Sequence, residues 1–114
     1  MALEVSRRRF TADEYQAMGR AGILRDDDRV ELIDGEVLAM SPIGPPHIGT
    51  VNRLNRLFTV RVGEAAIVQV QLPVRLDPHS EPQPDLVLLK PRADFYGTAA
   101  AGPADILLAI EVAQ

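Results

Sequence analysis

The fold class this sequence predicts is a small α/β (α+β) domain, and three observations predict it. Asp34-Gly35 separates two short strand-like segments, the strongest local signal for a hairpin. Ile48, Val51, Leu54, Phe58 and Val62 recur at the three- and four-residue spacing of an amphipathic helix. Two apolar runs, Leu86 to Leu89 and Ile106 to Val112, the second broken only by Glu111, read as strands covered on both faces.

In chain order, Thr11 and Glu14 have the spacing of a capping box, which predicts a short helix over Phe10 to Met18 ended by Gly19 or Gly22. Asp26-Asp27-Asp28 lacks the glycine and the distal glutamate of a calcium loop and reads as a solvated turn. Arg29 to Ile33 and Glu36 to Met40 are the hairpin strands. Ser41 to Pro46 cannot continue a ladder, so the helix begins after it. Ala66 to Leu76 alternates apolar and polar residues, which predicts one strand with its even-numbered positions facing the core. Asp77 to Pro84 is a polar loop delivering Asp85 to the next strand, and His79, in that loop beside Ser80 and Glu81, is read as surface. Pro91 to Pro103 is a further loop.

The 114 residues, 46% of them hydrophobic, suffice for one core, so a single domain over residues 1–114 is expected. The absence of cysteine removes disulfides, thiolate zinc sites and cysteine nucleophiles. The longest apolar stretch, Ile106 to Ile110, is far too short to span a bilayer, and no signal-peptide pattern follows Arg7-Arg8-Arg9. The expectation is a soluble, cytoplasmic protein with no membrane partner. A net charge of −4 argues mildly against duplex DNA, yet eleven of the twelve basic residues are arginine, and Arg7 to Arg9 and Arg53, Arg56 and Arg61 form clusters that could contact phosphates.

Glu111 is the residue that most needs an explanation. An ionised carboxylate within a buried strand costs several kcal/mol, on the order expected for an uncompensated charge, unless it is paired or metal-bound. Asp85 is its natural companion, because neighbouring strands would bring the two carboxylates to one hard cation. The alternative is that Asp85 only caps the turn after Pro84 while Glu111 reaches solvent or an arginine.

Taken in order, Glu31-Leu32-Ile33-Asp34-Gly35-Glu36, then His47 at a helix start, then Gln83-Pro84-Asp85-Leu86, then Ile110-Glu111-Val112 resemble the Uma-type family of restriction endonucleases, a branch of the PD-(D/E)XK nuclease superfamily. The likeness runs from about Phe10 to Gln114. It implies a restriction-endonuclease-like mixed sheet flanked by helices, and a DNA phosphodiester substrate. It makes Asp85 and Glu111 ligands of Mg²⁺ or Mn²⁺, together with the carbonyl of Val112. Glu31 matches a further acidic position, against the plain reading of an exposed residue opposite Leu38. His47 falls where the family places a histidine, against the reading of an ordinary helix-start residue.

The superfamily's lysine, two residues after the glutamate, is replaced here by Ala113. Lys90 is the only lysine, and strand alternation sets it on the face opposite Asp85. In the Uma-type family that lysine is displaced onto the helix that follows, which would begin just beyond Gln114. The expectation is therefore a domain incomplete at its C-terminus, inactive alone. Two further readings stand beside the endonuclease: a non-catalytic interaction module or degraded homologue keeping the nuclease fold, and a homodimer formed through an exposed sheet edge.

Overall fold

The computed structural model describes residues 3–113. Helix α1 covers Ala12–Arg20, strands β1 and β2 cover Val30–Ile33 and Glu36–Ala39, and helix α2 covers Pro45–Val62. Strands β3, β4 and β5 follow at Ile67–Val70, Leu86–Leu89 and Ile106–Ile110. The described strands form two small antiparallel sheets, β1-β2 and β3-β4-β5, with helices beside them. Among the described residues no helix is long and apolar enough to cross a membrane.

Local chemistry accounts for the first half. The Thr11 hydroxyl accepts from Glu14 N–H at 3.1 Å and Glu14 accepts from Thr11 N–H at 2.9 Å, so both ends of the expected capping box are made. Asp34 and Gly35 have φ of 48° and 81°, the two positive values a tight hairpin turn demands. A side chain at Gly35 would also meet Arg9, whose Cβ lies 2.6 Å from where a Cβ would stand. Leu32 is fully buried with Ala12 and Tyr15, which fastens α1 to the hairpin.

β4 is the centre of the second sheet. Its four residues are all buried, because alternate side chains leave opposite faces. Val87 and Leu89 pack with Val74 and Ala101, while Leu86 and Leu88 pack with Ala66, flanked by Leu54, Phe58 and Val62 of α2. This is the two-sided burial that an unbroken apolar run predicts.

Three sequence expectations need correction. The strand after Ala66 stops at Val70 rather than Leu76, because Gln71 takes a positive φ of 53° and turns its N–H to the carbonyls of Pro84 and Asp85. Leu72 and Leu76 are consequently exposed, although Val74 is buried. β5 is an edge strand whose Leu107, Leu108 and Ala109 are exposed, so it is not covered on both faces. In α2, Ile48 points to solvent and His47 takes the buried position beside it.

Candidate active site

β4 begins immediately after Asp85, and β5 ends immediately before Glu111. The antiparallel register pairs Leu86 with Ile110, so Asp85 and Glu111 are the next residues of the same ladder and face one another across the strand ends. Asp85 is only 8% exposed. Its carboxylate is fixed from several directions: Val112 N–H donates to Oδ2 at 2.7 Å, His47 Nε2 lies 3.0 Å from Oδ1, and Gln71 Nε2 makes a long contact of 3.5 Å to Oδ1. A buried carboxylate met by this many donors has its hydrogen-bonding needs answered and is held in one orientation.

His47 comes from the first turn of α2, which the Gly44-Pro45-Pro46 segment starts without a side-chain cap. A carboxylate only accepts hydrogen bonds, so the imidazole presents Nε2–H to Asp85. Nδ1, on the other side of the ring, is buried with no hydrogen-bond partner among the described residues. His47 also lines a cavity of about 310 Å³ together with Gly44, Pro46, Thr50, Val112 and Ala113. The histidine is therefore neither a surface group nor a helix cap; it is a buried donor that orients Asp85.

Glu111 differs from the reading that singled it out. It lies just past β5 and is exposed, so it pays no full burial cost. Its carboxyl is nevertheless raised above the ordinary glutamate value, first by partial desolvation and then by the negative charges of Asp85 and Glu31. Glu31 sits in β1 opposite Leu38, as the plain reading had it, but it is half-buried and its Oε2 accepts from Gln83 N–H at 3.1 Å. Three carboxylates from β1, the start of β4 and the end of β5 thus share one region.

The match to a hard divalent cation is one of chemistry. The crowding of Glu111 by the like charges of Asp85 and Glu31 is what such an ion relieves. Among the described residues no three or more His, Asp or Glu side chains are already gathered at metal-holding positions. Lys90 is exposed at the far end of β4, five residues and roughly 16 Å along the strand from Asp85.

The model of the Uma2 family, described as "putative restriction endonuclease", matches residues 12–114. The chain belongs to that family. No curated protein and no solved structure matches it. The Uma2 match spans every element described above, from α1 to β5, and is in keeping with the helices and small antiparallel sheets seen here.

Sequence reasoning gave no role of their own to Gln71, Gln83 and Glu81. Gln71 and Gln83 looked like ordinary polar residues of a strand and a loop, and only the positive φ at Gln71 and the path of the 77–84 segment bring them to Asp85 and Glu31. Glu81, a residue of the polar 77–84 loop, is 1% exposed. It accepts from Arg75 at 2.7 Å and from Gln16 at 2.6 Å, and its backbone exchanges hydrogen bonds with Leu32. The same segment buries Ser80, whose hydroxyl accepts from Asp34 N–H at 2.9 Å.

Proposed function

We propose that this Uma2 chain is a metal-dependent DNA endonuclease of the PD-(D/E)XK type, acting on phosphodiester bonds, with Asp85 and Glu111 as its central carboxylates. The observation that carries the reading is the fixed carboxylate of Asp85, held by His47 and Val112 N–H opposite the exposed, charge-crowded Glu111. Asp85, Glu111 and the carbonyl of Val112 would hold Mg²⁺ or Mn²⁺. When bound, such an ion polarises a phosphate oxygen and lowers the pKa of a water beside it.

The chain's own residues do the rest. Asp85 keeps lone pairs free on both oxygens after accepting from His47 and Val112. His47 sets the rotamer of Asp85 and is a positioning residue, in the way an outer hydrogen bond tunes a metal ligand. Glu111, facing solvent, is the carboxylate a substrate meets first. Glu31 adds negative charge behind it and is held by the Gln83 backbone.

A second reading has its own observation. Ala113 occupies the superfamily's lysine position and Lys90 lies at the other end of β4, so no lysine among residues 3–113 reaches Asp85. A charge-stabilising cation next to the leaving or attacking oxygen commonly supplies a factor of about 10²–10³. A module that binds metal and DNA without cutting fits that gap.

Calorimetric titration of Mn²⁺, run beside a plasmid-nicking assay on the chain and on Asp85→Ala, separates these readings. The endonuclease reading expects metal binding and, with no lysine at Asp85, only weak metal-dependent nicking, both lost in the variant. Binding without nicking favours the non-catalytic module. No metal binding by a folded chain overturns the metal site.

A further inference from the structure

The two arginine clusters have opposite fates in the structure. Arg7 pairs with Glu36, Arg8 with Glu14 and Arg9 with Asp34, so that cluster is neutralised by neighbouring acids. Arg53, Arg56 and Arg61 are exposed and have no ion-pair partner among the described residues. Residues 37–63 hold these three arginines, no lysine and no Asp or Glu, a formal +3 within a chain of net −4. The acids have been kept off α2 altogether.

The three side chains also share one surface. With Leu57 and Val60 they line a shallow recess of about 360 Å³ on the face of α2 turned away from the sheet. Leu57 and Val60 are themselves exposed and offer apolar surface for the arginine stems. Along the helix axis the patch runs about 12 Å. Duplex DNA presents one phosphate charge per about 1.7 Å of its axis, so a patch of this length meets several phosphates. Guanidinium groups suit them, because each can donate two parallel hydrogen bonds to one phosphate. His47 stands on the same helix roughly 9 Å before Arg53, and it holds Asp85.

We propose that the outward face of α2, through Arg53, Arg56 and Arg61, is a docking surface for the phosphate backbone of duplex DNA. The identity of the ligand rests on the endonuclease reading. The surface itself rests on the segregation of charge. It contacts backbone only, so it adds affinity without choosing a sequence.

The test is fluorescence anisotropy with a labelled duplex of about 20 base pairs, in EDTA so that binding is read without hydrolysis, across a range of salt concentrations. The variants are Arg53→Gln/Arg56→Gln/Arg61→Gln and, as a control with similar charge loss elsewhere, Arg20→Gln/Arg25→Gln. The expected result is at least a tenfold loss of affinity in the triple variant, with the slope of log affinity against log salt shallower by about 2–3, and little change in the control. An unchanged slope, an equal loss in the control, or no binding by the native chain overturns the proposal. So does a change in sedimentation with DNA binding intact, which would make the face a contact between copies. Arginine-dependent binding without Mn²⁺-dependent nicking overturns the endonuclease reading alone, and nicking with arginine-independent binding overturns this proposal alone.

Discussion

Glu81, from a polar loop, and Glu111, from an apolar run, are both carboxylates beside the sheets, and the fold treats them in opposite ways. Glu81 is buried and both of its oxygens are bonded, Oε1 by Arg75 and Oε2 by Gln16. Arg75 in turn reaches Asp13, and its guanidinium is held more firmly protonated, chiefly by the hydrogen bond to Glu81. Glu111 is exposed, borders Asp85 and Glu31, and has no cation beside it among the described residues. A satisfied buried charge ties α1, the hairpin and the 75–81 segment into one body. An unsatisfied exposed one, crowded by like charges, is poised to take up a ligand.

The largest effect that follows is on stability. Glu81→Ala leaves Arg75 and Gln16 without their shared acceptor and opens a void beside Leu32. We expect a loss of about 2–4 kcal/mol in urea unfolding, below the top of the range for a broken buried pair because the Arg75 side chain is partly exposed and keeps Asp13. A loss under about 0.5 kcal/mol, the scale of an ordinary surface substitution, would break the contrast with Glu111.

Next in size is the effect of His47 on metal affinity. His47→Ala removes the donor on Asp85 Oδ1 and should weaken Mn²⁺ binding by about 10–100-fold in calorimetry, the scale found for outer hydrogen bonds to metal ligands. His47→Gln, which keeps an N–H donor of similar reach, should recover part of that loss. Equal affinities in all three proteins would mean that Val112 N–H alone fixes Asp85, and that the histidine serves packing. Full loss in both variants, with unchanged unfolding midpoints, would instead point to His47 as a direct ligand.

How much of this was legible in the sequence depended on the range of the interaction. The Thr11–Glu14 cap and the Asp34-Gly35 turn are decided within a few residues, and both formed as expected. The burial of Leu86 to Leu89 followed from their unbroken apolar run, because both faces found partners. The same logic failed at β5, whose run is equally apolar but lies at a sheet edge, and strand position is not written in composition. Ile48 and His47 are adjacent, and the buried histidine meets Asp85, 38 residues on, a partner that no local pattern reveals. Nothing local marked Glu81 for burial, because its acceptor sites are filled from Gln16, 65 residues away, and from an arginine on the far side of a turn. The candidate site was visible as a series of motifs; the roles within it required the register that sets Asp85 against Glu111.

The smallest effect is also the most direct test of the contrast, because it depends on the sign of a titration. The carboxyl of Glu111 is raised in the folded chain by partial desolvation and then by Asp85 and Glu31, so it binds its proton more tightly folded than unfolded. Its neutral form therefore adds stability that is complete below the ordinary glutamate range and is lost as pH rises through the raised folded value. Glu111→Gln removes that loss. In EDTA the two proteins should have matching urea midpoints near about pH 4, while near about pH 7.5 the variant should be the more stable, by less than about 1 kcal/mol because the group is exposed and solvent screens it. Adding Mn²⁺ should reverse the order at the higher pH, since the ion stabilises only the chain that keeps its carboxylate. If the native chain were instead the more stable at neutral pH without metal, Glu111 would be gaining from a partner as Glu81 does, and the crowding of like charge that marks it as a ligand would be gone.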